Sequence, residues 1–240
     1  MGGSNLDPCH RPGPAQSVYL SVRTIVDFML ALLIGAALFP TVIVLALLIK
    51  IDSPGHVFFQ QQRAGRLGKP FEIVKFRTMY NGSPVYSDKL SESDPRITRL
   101  GRWLRRTALD EIPQLVNVLK GEMALIGPRP EQLPLLCRYQ PWQLDRQLVK
   151  PGITGWWQVH HRDSVPMYEN VDKDLYYIEH VGPKLDLIIV AKTIAVMVGG
   201  LRSRPRGRRH LVESAADGGG LSGSTTQIDH AGLGSELPSS

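Results

Sequence analysis

Cysteine is scarce: Cys9 and Cys137 are the only two in 240 residues. Two thiols build neither a disulfide framework nor a four-ligand metal site, so a stapled secreted domain is excluded and a reducing compartment is expected. Charge is missing altogether from residues 28–49, 22 positions in succession. At about 1.5 Å per residue such a run makes a helix of roughly 33 Å, enough to cross a hydrocarbon core of about 30 Å. A secretory signal would be shorter and followed by a small-residue cleavage site, which Lys50-Ile51-Asp52-Ser53-Pro54 does not provide.

Pro40 interrupts the apolar run and cannot donate its backbone hydrogen bond, so a kink or break is expected there. Two topologies fit: a kinked span, or a bend at Phe39-Pro40 that returns the chain to the same face as a re-entrant hairpin. Arg23 before the run and Lys50, Arg63, Arg66 and Lys69 after it put positive charge on both flanks, which favours re-entry.

The formal charge is +6, yet residues 60–106 alone hold 11 Lys/Arg against 4 Asp/Glu, a local +7. An anionic partner follows, and charge alone leaves nucleic acid, acidic phospholipid and a phosphorylated small molecule open. The few aromatics of this stretch do not recur among the arginines as a stacking platform for single strands requires, which argues against nucleic acid.

The length suits one domain with tails. Residues 1–16, rich in Pro and Gly, read as a disordered arm, and residues 17–52 as the membrane anchor. Residues 53–202 form the folded domain, and 203–240 are a basic, then Gly/Ser-rich, tail. Short strands are expected over 56–60 and 71–79, the second with Lys75 and Arg77 on one side. Ile97, Leu100 and Leu104 share one helical face beside a basic stripe of Arg99, Arg102 and Arg106. A helix follows over 112–119, with Pro113 tolerated in its first turn and Gly121 as its stop. Residues 185–198 are apolar but only 14 long, which suits a helix at the interface or in the core.

Asp110 and Glu111 are adjacent acids at the start of that 112–119 helix. Neighbouring carboxylates repel, so one pKa rises unless a cation, a metal or a helix N-terminus stabilises the pair; helix capping and catalysis are both open to them. Arg129 is held between Pro128 and Pro130, a preset guanidinium of the kind bidentate phosphate recognition uses, or a plain turn with a solvated arginine. Lys75 and Arg77 are phosphate contacts or a solvated strand face. Residues 151–157 read as a tight turn running into Trp156-Trp157, and His160 and His161 as structural rather than metal-ligating.

In order, the chain carries Lys75-Phe76-Arg77-Thr78-Met79, Asp94-Pro95-Arg96-Ile97-Thr98-Arg99-Leu100-Gly101, and Leu109-Asp110-Glu111-Ile112-Pro113-Gln114-Leu115. Asn117-Val118-Leu119-Lys120-Gly121-Glu122-Met123, Gly127-Pro128-Arg129-Pro130-Glu131 and Lys150-Pro151-Gly152-Ile153-Thr154-Gly155-Trp156 follow. The ensemble resembles the bacterial sugar transferase family, monotopic phosphoglycosyl transferases, over about residues 21–201. Three motifs depart from the family: Glu122-Met123-Ala124 replaces Asp-Met-Ser, His160-His161 replaces Asn-Gly, and Thr107-Ala108 stands where a Ser precedes Leu-Asp-Glu.

The resemblance implies an α/β domain, helix-rich with a small sheet, on the cytoplasmic face of the bacterial inner membrane. A re-entrant helix broken at Phe39-Pro40 and an interfacial helix would hold it there. It further implies transfer of a sugar 1-phosphate from a UDP-sugar to undecaprenyl (polyprenyl) phosphate, with release of UMP, as the first step of exopolysaccharide or other surface-glycan synthesis. Asp110 would be the nucleophile and Glu111 a magnesium ligand. Lys75, Arg105 and Arg129 would lie near phosphate, and Arg162 near the nucleotide sugar. Larger members carry additional transmembrane helices, so a minimal form is expected. Membrane lipids are expected partners, nucleic acid is not, and monomer and homodimer are both open. The alternative is a membrane-tethered, non-enzymatic scaffold that binds anionic lipid or nucleic acid, with the dyad as a cap.

Overall fold

The computed structural model describes residues 10–83, 94–161 and 171–202. Its first element, helix α1, runs from Pro14 to Asp52. Pro14 takes the first helical position, where a missing N–H leaves no bond unmade, and the extended Ser53 followed by Pro54 ends the helix. The helix begins within the expected arm and continues through Pro40. Among the described residues it is the one helix long and apolar enough to cross a membrane, and little of its apolar run is buried.

The contacts α1 does make fall on both sides of Pro40. Before it, Ala31 packs with Phe71, Ile73, Leu115, Val118 and Met123. After it, Leu45 and Ile49 pack with Phe76 and Leu104. Both halves therefore grip the same domain. A buried polar network adds to the first half: Arg23 Nη1 donates to Asp186 Oδ2 at 2.9 Å and Nη2 to the Ile126 carbonyl at 2.9 Å, while Tyr19 and Tyr177 hydroxyls donate to the Asp186 carboxylate. Arg23 also faces Asp27 one turn on. This corrects the reading of Arg23 as a charge at the membrane flank, since two carboxylates neutralise it inside the fold. Lys50, Arg66 and Lys69 are exposed, as that reading requires.

Strands β1 (Phe58–Ala64) and β2 (Pro70–Phe76) form an antiparallel hairpin, with Phe59 opposite Lys75 and Gln61 opposite Ile73. Strand side chains alternate, so Lys75 continues the inward face of Phe71 and Ile73. Helix α2 (Arg99–Thr107) buries Leu104 and is capped by Thr98, whose Oγ1 accepts from the Gly101 amide at 2.9 Å. The helix expected over 112–119 is split into a 3-10 segment, Leu109–Gln114, and a short α3, Leu115–Leu119. Asn117 on α3 is fully buried and ties it to β2: its Oδ1 accepts from the Val74 amide and its Nδ2 donates to the Glu72 carbonyl at 2.7 Å.

Strands β3 (Ala124–Ile126) and β4 (Gly152–Thr154) pair in parallel. The tight turn expected at 151–157 is thus a strand, and a Cβ on Gly152 would lie 2.1 Å from the Gly127 nitrogen. Only glycine permits that approach. Helices α4 (Trp156–His161), α5 (Val171–His180) and α6 (Pro183–Arg202) complete the fold, which is helix-rich with two small sheets. Helix α6 extends beyond the expected 185–198, buries Leu185, Asp186 and Ile189, and exposes Leu187, Ile188, Val190, Ile194 and Val198.

Candidate active site

Helix α2 ends at Ala108, which holds left-handed backbone (φ 57°) without being glycine. That conformation reverses the chain and costs roughly 1 kcal/mol, and it delivers Asp110 and Glu111 into the first turn of the 3-10 segment. Leu109 and Ile112, on either side of the pair, pack against the cluster of Leu45, Ile49, Phe76 and Leu104. The residues flanking the acids are thus anchored on the cluster to which the second half of α1 contributes.

Glu111 Oε1 receives two cations, Lys75 Nζ at 2.7 Å from β2 and Arg129 Nη1 at 3.1 Å from the segment after β3. Asp110 differs: its side chain is 8% exposed and makes no hydrogen bond or ion pair with any described residue. Burial, then the Glu111 charge, push its pKa up to about 6, against the pull of Lys75, Arg105 and Arg129. Burial holds the Lys75 ammonium below its ordinary value, with Glu111 opposing. A cap would need its carboxylate bonded to a backbone N–H, so the capping role left open for the dyad does not describe Asp110.

Arg105 donates from Nε to Thr78 Oγ1 at 2.8 Å, and burial lowers its pKa. Gly101 makes this possible, because a Cβ there would come within 2.1 Å of the Thr78 carbonyl oxygen and hold α2 away. The structure thus brings Asp110, Glu111, Lys75 and Arg129 together, with Arg105 close enough to act on Asp110 through its charge. Arg162 lies outside the described residues. Phe39 is 61% exposed on α1 and belongs to the apolar surface rather than to this cluster.

Arg77 turns out to be neither a phosphate contact nor a solvated charge. It is buried, and it ties the end of α1 by donating to the Ser53 and Pro54 carbonyls and the Asn81 side chain. His160 Nδ1 donates to the Trp156 carbonyl at 2.8 Å and its Nε2 accepts from Lys192 Nζ at 2.6 Å, the structural role expected of it. Trp157 is core, whereas Trp156 stacks on Tyr176 with centroids 5.7 Å apart.

No group of three or more His, Cys, Asp or Glu capable of holding a metal occurs among the described residues. The donor set that fits a magnesium ion is the dyad itself. A hard divalent cation takes one or two carboxylates and completes its shell with water and substrate phosphate. Asp110 supplies a buried carboxylate with no hydrogen-bond or ion-pair partner among the described residues, beside the Glu111 carboxylate.

Sequence reasoning missed the buried charges behind Arg129. Arg146 binds Asp174 Oδ2 through Nε at 3.0 Å and Nη2 at 2.6 Å, and the Tyr139 hydroxyl donates to Glu131 Oε2 at 2.6 Å. Residues 28 apart with no shared periodicity carry no local signal. Arg146 stands between Asp145 and Gln147 and Asp174 beside Lys173, so in sequence both look like solvated charges.

The fold and site define a helix-rich protein with an acidic dyad, one acid of which meets two cations, and one helix long and apolar enough to cross a membrane. The match of residues 18–200 to the bacterial sugar transferase model makes the assignment specific, and the chain belongs to that family. It is 37% identical over 194 residues to the UDP-N-acetylgalactosamine-undecaprenyl-phosphate N-acetylgalactosaminephosphotransferase of Aeromonas hydrophila, covering 78% of this chain and 46% of that one. It is 38% identical to the UDP-glucose:undecaprenyl-phosphate glucose-1-phosphate transferase of Escherichia coli, covering 75% of this chain and 41% of the relative. The protein of the same description from Caulobacter vibrioides is also 38% identical, with 77% and 73% covered. The chain thus spans less than half the length of the first two and nearly three quarters of the third.

Proposed function

We propose that this protein is an undecaprenyl-phosphate sugar phosphotransferase that takes its phosphosugar from a UDP-sugar. All three relatives named above bear names that join a UDP-sugar to undecaprenyl phosphate, and the site has the charges such a reaction uses. The observation that carries the reading is the unequal dyad: Glu111 is neutralised by Lys75 and Arg129, while the buried Asp110 carboxylate makes no hydrogen bond or ion pair with a described residue. A desolvated anion beside fixed cations is an activated nucleophile.

In this reading an Asp110 oxygen attacks the phosphorus bonded to the sugar, and the bond from that phosphorus to the bridging oxygen breaks. UMP leaves with the electron pair, and the phosphosugar remains on Asp110 as an acyl phosphate. An oxygen of the lipid phosphate then attacks the same phosphorus and Asp110 departs as carboxylate. Lys75, Arg105 and Arg129 offset the negative charge that accumulates as anions approach one another. Magnesium bound at the dyad would add charge neutralisation at the phosphoryl oxygens.

Helix α1 as a re-entrant anchor on the cytoplasmic face of the inner membrane accounts for both its halves packing on one domain, since a domain on one side of a bilayer cannot grip both ends of a spanning helix. Helix α6, with exposed Leu187, Ile188, Val190 and Ile194, would lie in the interface. The lipid-linked product would begin a surface glycan such as exopolysaccharide.

The test is a burst. With a UDP-sugar and magnesium but no lipid acceptor, the protein should release UMP in an amount comparable to enzyme, and full turnover should be ping-pong. Asp110→Asn should show neither, and Glu111→Gln should need more magnesium. No UMP under any donor would leave a tethered scaffold as the better account, and substantial turnover by Asp110→Asn would replace the covalent route with a single displacement.

A further inference from the structure

The segment that carries Arg129 has little freedom of its own. Pro128 and Pro130 lack amide protons and have fixed φ. Four consecutive carbonyls are then tied to separate parts of the fold. That of Pro128 accepts from the Gly152 amide at 2.9 Å, and that of Arg129 from Arg146 Nη2 at 2.7 Å. That of Pro130 accepts from Arg63 Nη1 at 3.2 Å, and that of Glu131 from the Ala64 amide at 2.9 Å.

Three of these anchors come from the paired strands β1 and β4. Two of those three are main-chain amides and one is the Arg63 guanidinium; the fourth, the Arg146 guanidinium, lies outside the strands and holds the residue whose own guanidinium meets Glu111. Arg146 is 3% exposed, and Asp174 beneath it 2%. One guanidinium there reaches Asp174 through two nitrogens, the Tyr139 hydroxyl at 3.2 Å and the Arg129 carbonyl. The Tyr139 hydroxyl in turn bonds Glu131, whose other carboxylate oxygen accepts from the Gln132 amide at 2.8 Å.

Buried charges of this kind are poor sources of stability, because desolvation offsets most of their attraction and an apolar replacement is often as stable. Their value lies in direction. A planar five-donor fork satisfies three acceptors at set angles, which a lysine cannot do with one nitrogen. We propose that Arg146, oriented by Asp174, is a positioning residue that fixes the Arg129 backbone and so aims the Arg129 guanidinium at the dyad. The kinetic consequence rests on the transferase reading; the structural one does not. Displacements near 1 Å at a group that neutralises transition-state charge lower rates by about 100-fold.

Arg146→Lys is the test, with full-length protein in nanodiscs. It retains the charge opposite Asp174 and should stay folded, while kcat for the UDP-sugar falls about 10-fold to 100-fold and KM changes little. In an Arg129→Ala background the same substitution should cost almost nothing, because the group it aims is gone; multiplicative losses would mean a general structural role and would overturn the inference. Hydrogen exchange supplies a readout besides activity. A peptide over residues 128–133 should exchange faster in Arg146→Lys, while peptides from β2 and α3 stay unchanged. Unchanged exchange over 128–133 overturns the inference whether or not the protein turns over. Faster local exchange in a protein whose wild type releases no UMP would sink the transferase reading and leave the positioning of Arg129 standing.

Discussion

Lys75 Nζ sits 2.7 Å from Glu111 Oε1, and neither group is where a solvated surface pair would be. Strand alternation turns the lysine inward behind Phe71 and Ile73, and burial weakens its own charge. Its ammonium also acts on Asp110, whose pKa it pulls down. One lysine therefore serves both acids, by contact with one and by field on the other.

Replacing Lys75 should move the acid limb of activity. On the proposed route Asp110 attacks only as carboxylate, and with its pKa near 6 activity should fall as pH drops through that region. Removing a charge that lowers this pKa raises it, so Lys75→Met should lose activity at a higher pH than wild type does. A pH–rate profile of kcat/KM at saturating magnesium checks this; an unmoved or lower midpoint contradicts it.

Asp110→Asn should be inactive yet more stable. The folded pKa of Asp110, about 6, exceeds its ordinary 3.8, so the protonated form stabilises the fold at low pH and that stability is lost as pH rises through about 6. The amide removes the penalty, a gain of roughly 1–3 kcal/mol above pH 6 and close to none at pH 4. Thermal unfolding of metal-free protein at both pH values measures the difference, and equal Tm values for variant and wild type at pH 7.5 would refute it.

Arg129→Lys keeps the charge near Glu111 but loses the fork, and Arg129 is 30% exposed, so it can meet both protein and substrate. Turnover should fall by about 10-fold or more with little change in Tm, since bidentate geometry and not charge is what lysine lacks. Near wild-type kcat would return the segment to a plain turn.

Arg23→Ala should unfold the anchor from the domain. It would leave Asp27 and Asp186 buried without their cation, a loss of about 3–5 kcal/mol, whereas Arg23→Leu with Asp186→Leu should cost much less. Denaturant unfolding of both variants in nanodiscs separates them, and equal losses would remove the ion pair as the cause.

How much of this was legible in sequence depended on range. The hairpin strand with Lys75, the apolar face of α2 and the dyad's place just past α2 announce themselves through local alternation or spacing. The motifs in order pointed to Asp110, Glu111, Lys75 and Arg129, and the structure gathers those four around one carboxylate pair. Pairings across long separations left no trace. Arg23 looked like a membrane-flank charge because its partner Asp186 is 163 positions away. Arg77 read as a phosphate contact or a solvated charge because the carbonyls it binds, at Ser53 and Pro54, offer no side-chain signal. Gly152–Thr154 read as a turn because Pro and Gly bracket it, while its parallel partner lies in another stretch.

Clamping α1 to one domain on both sides of Pro40 also fixes how the protein answers its lipid surroundings. A free spanning helix meets a thicker or thinner bilayer by tilting. Here Ala31 and Leu45 bind separate patches of the same body, so tilt would have to carry the dyad with it or break one patch. The depth of the site becomes a dimension of the fold rather than of the membrane, and activity should be nearly level across vesicles of short-chain and long-chain lipid.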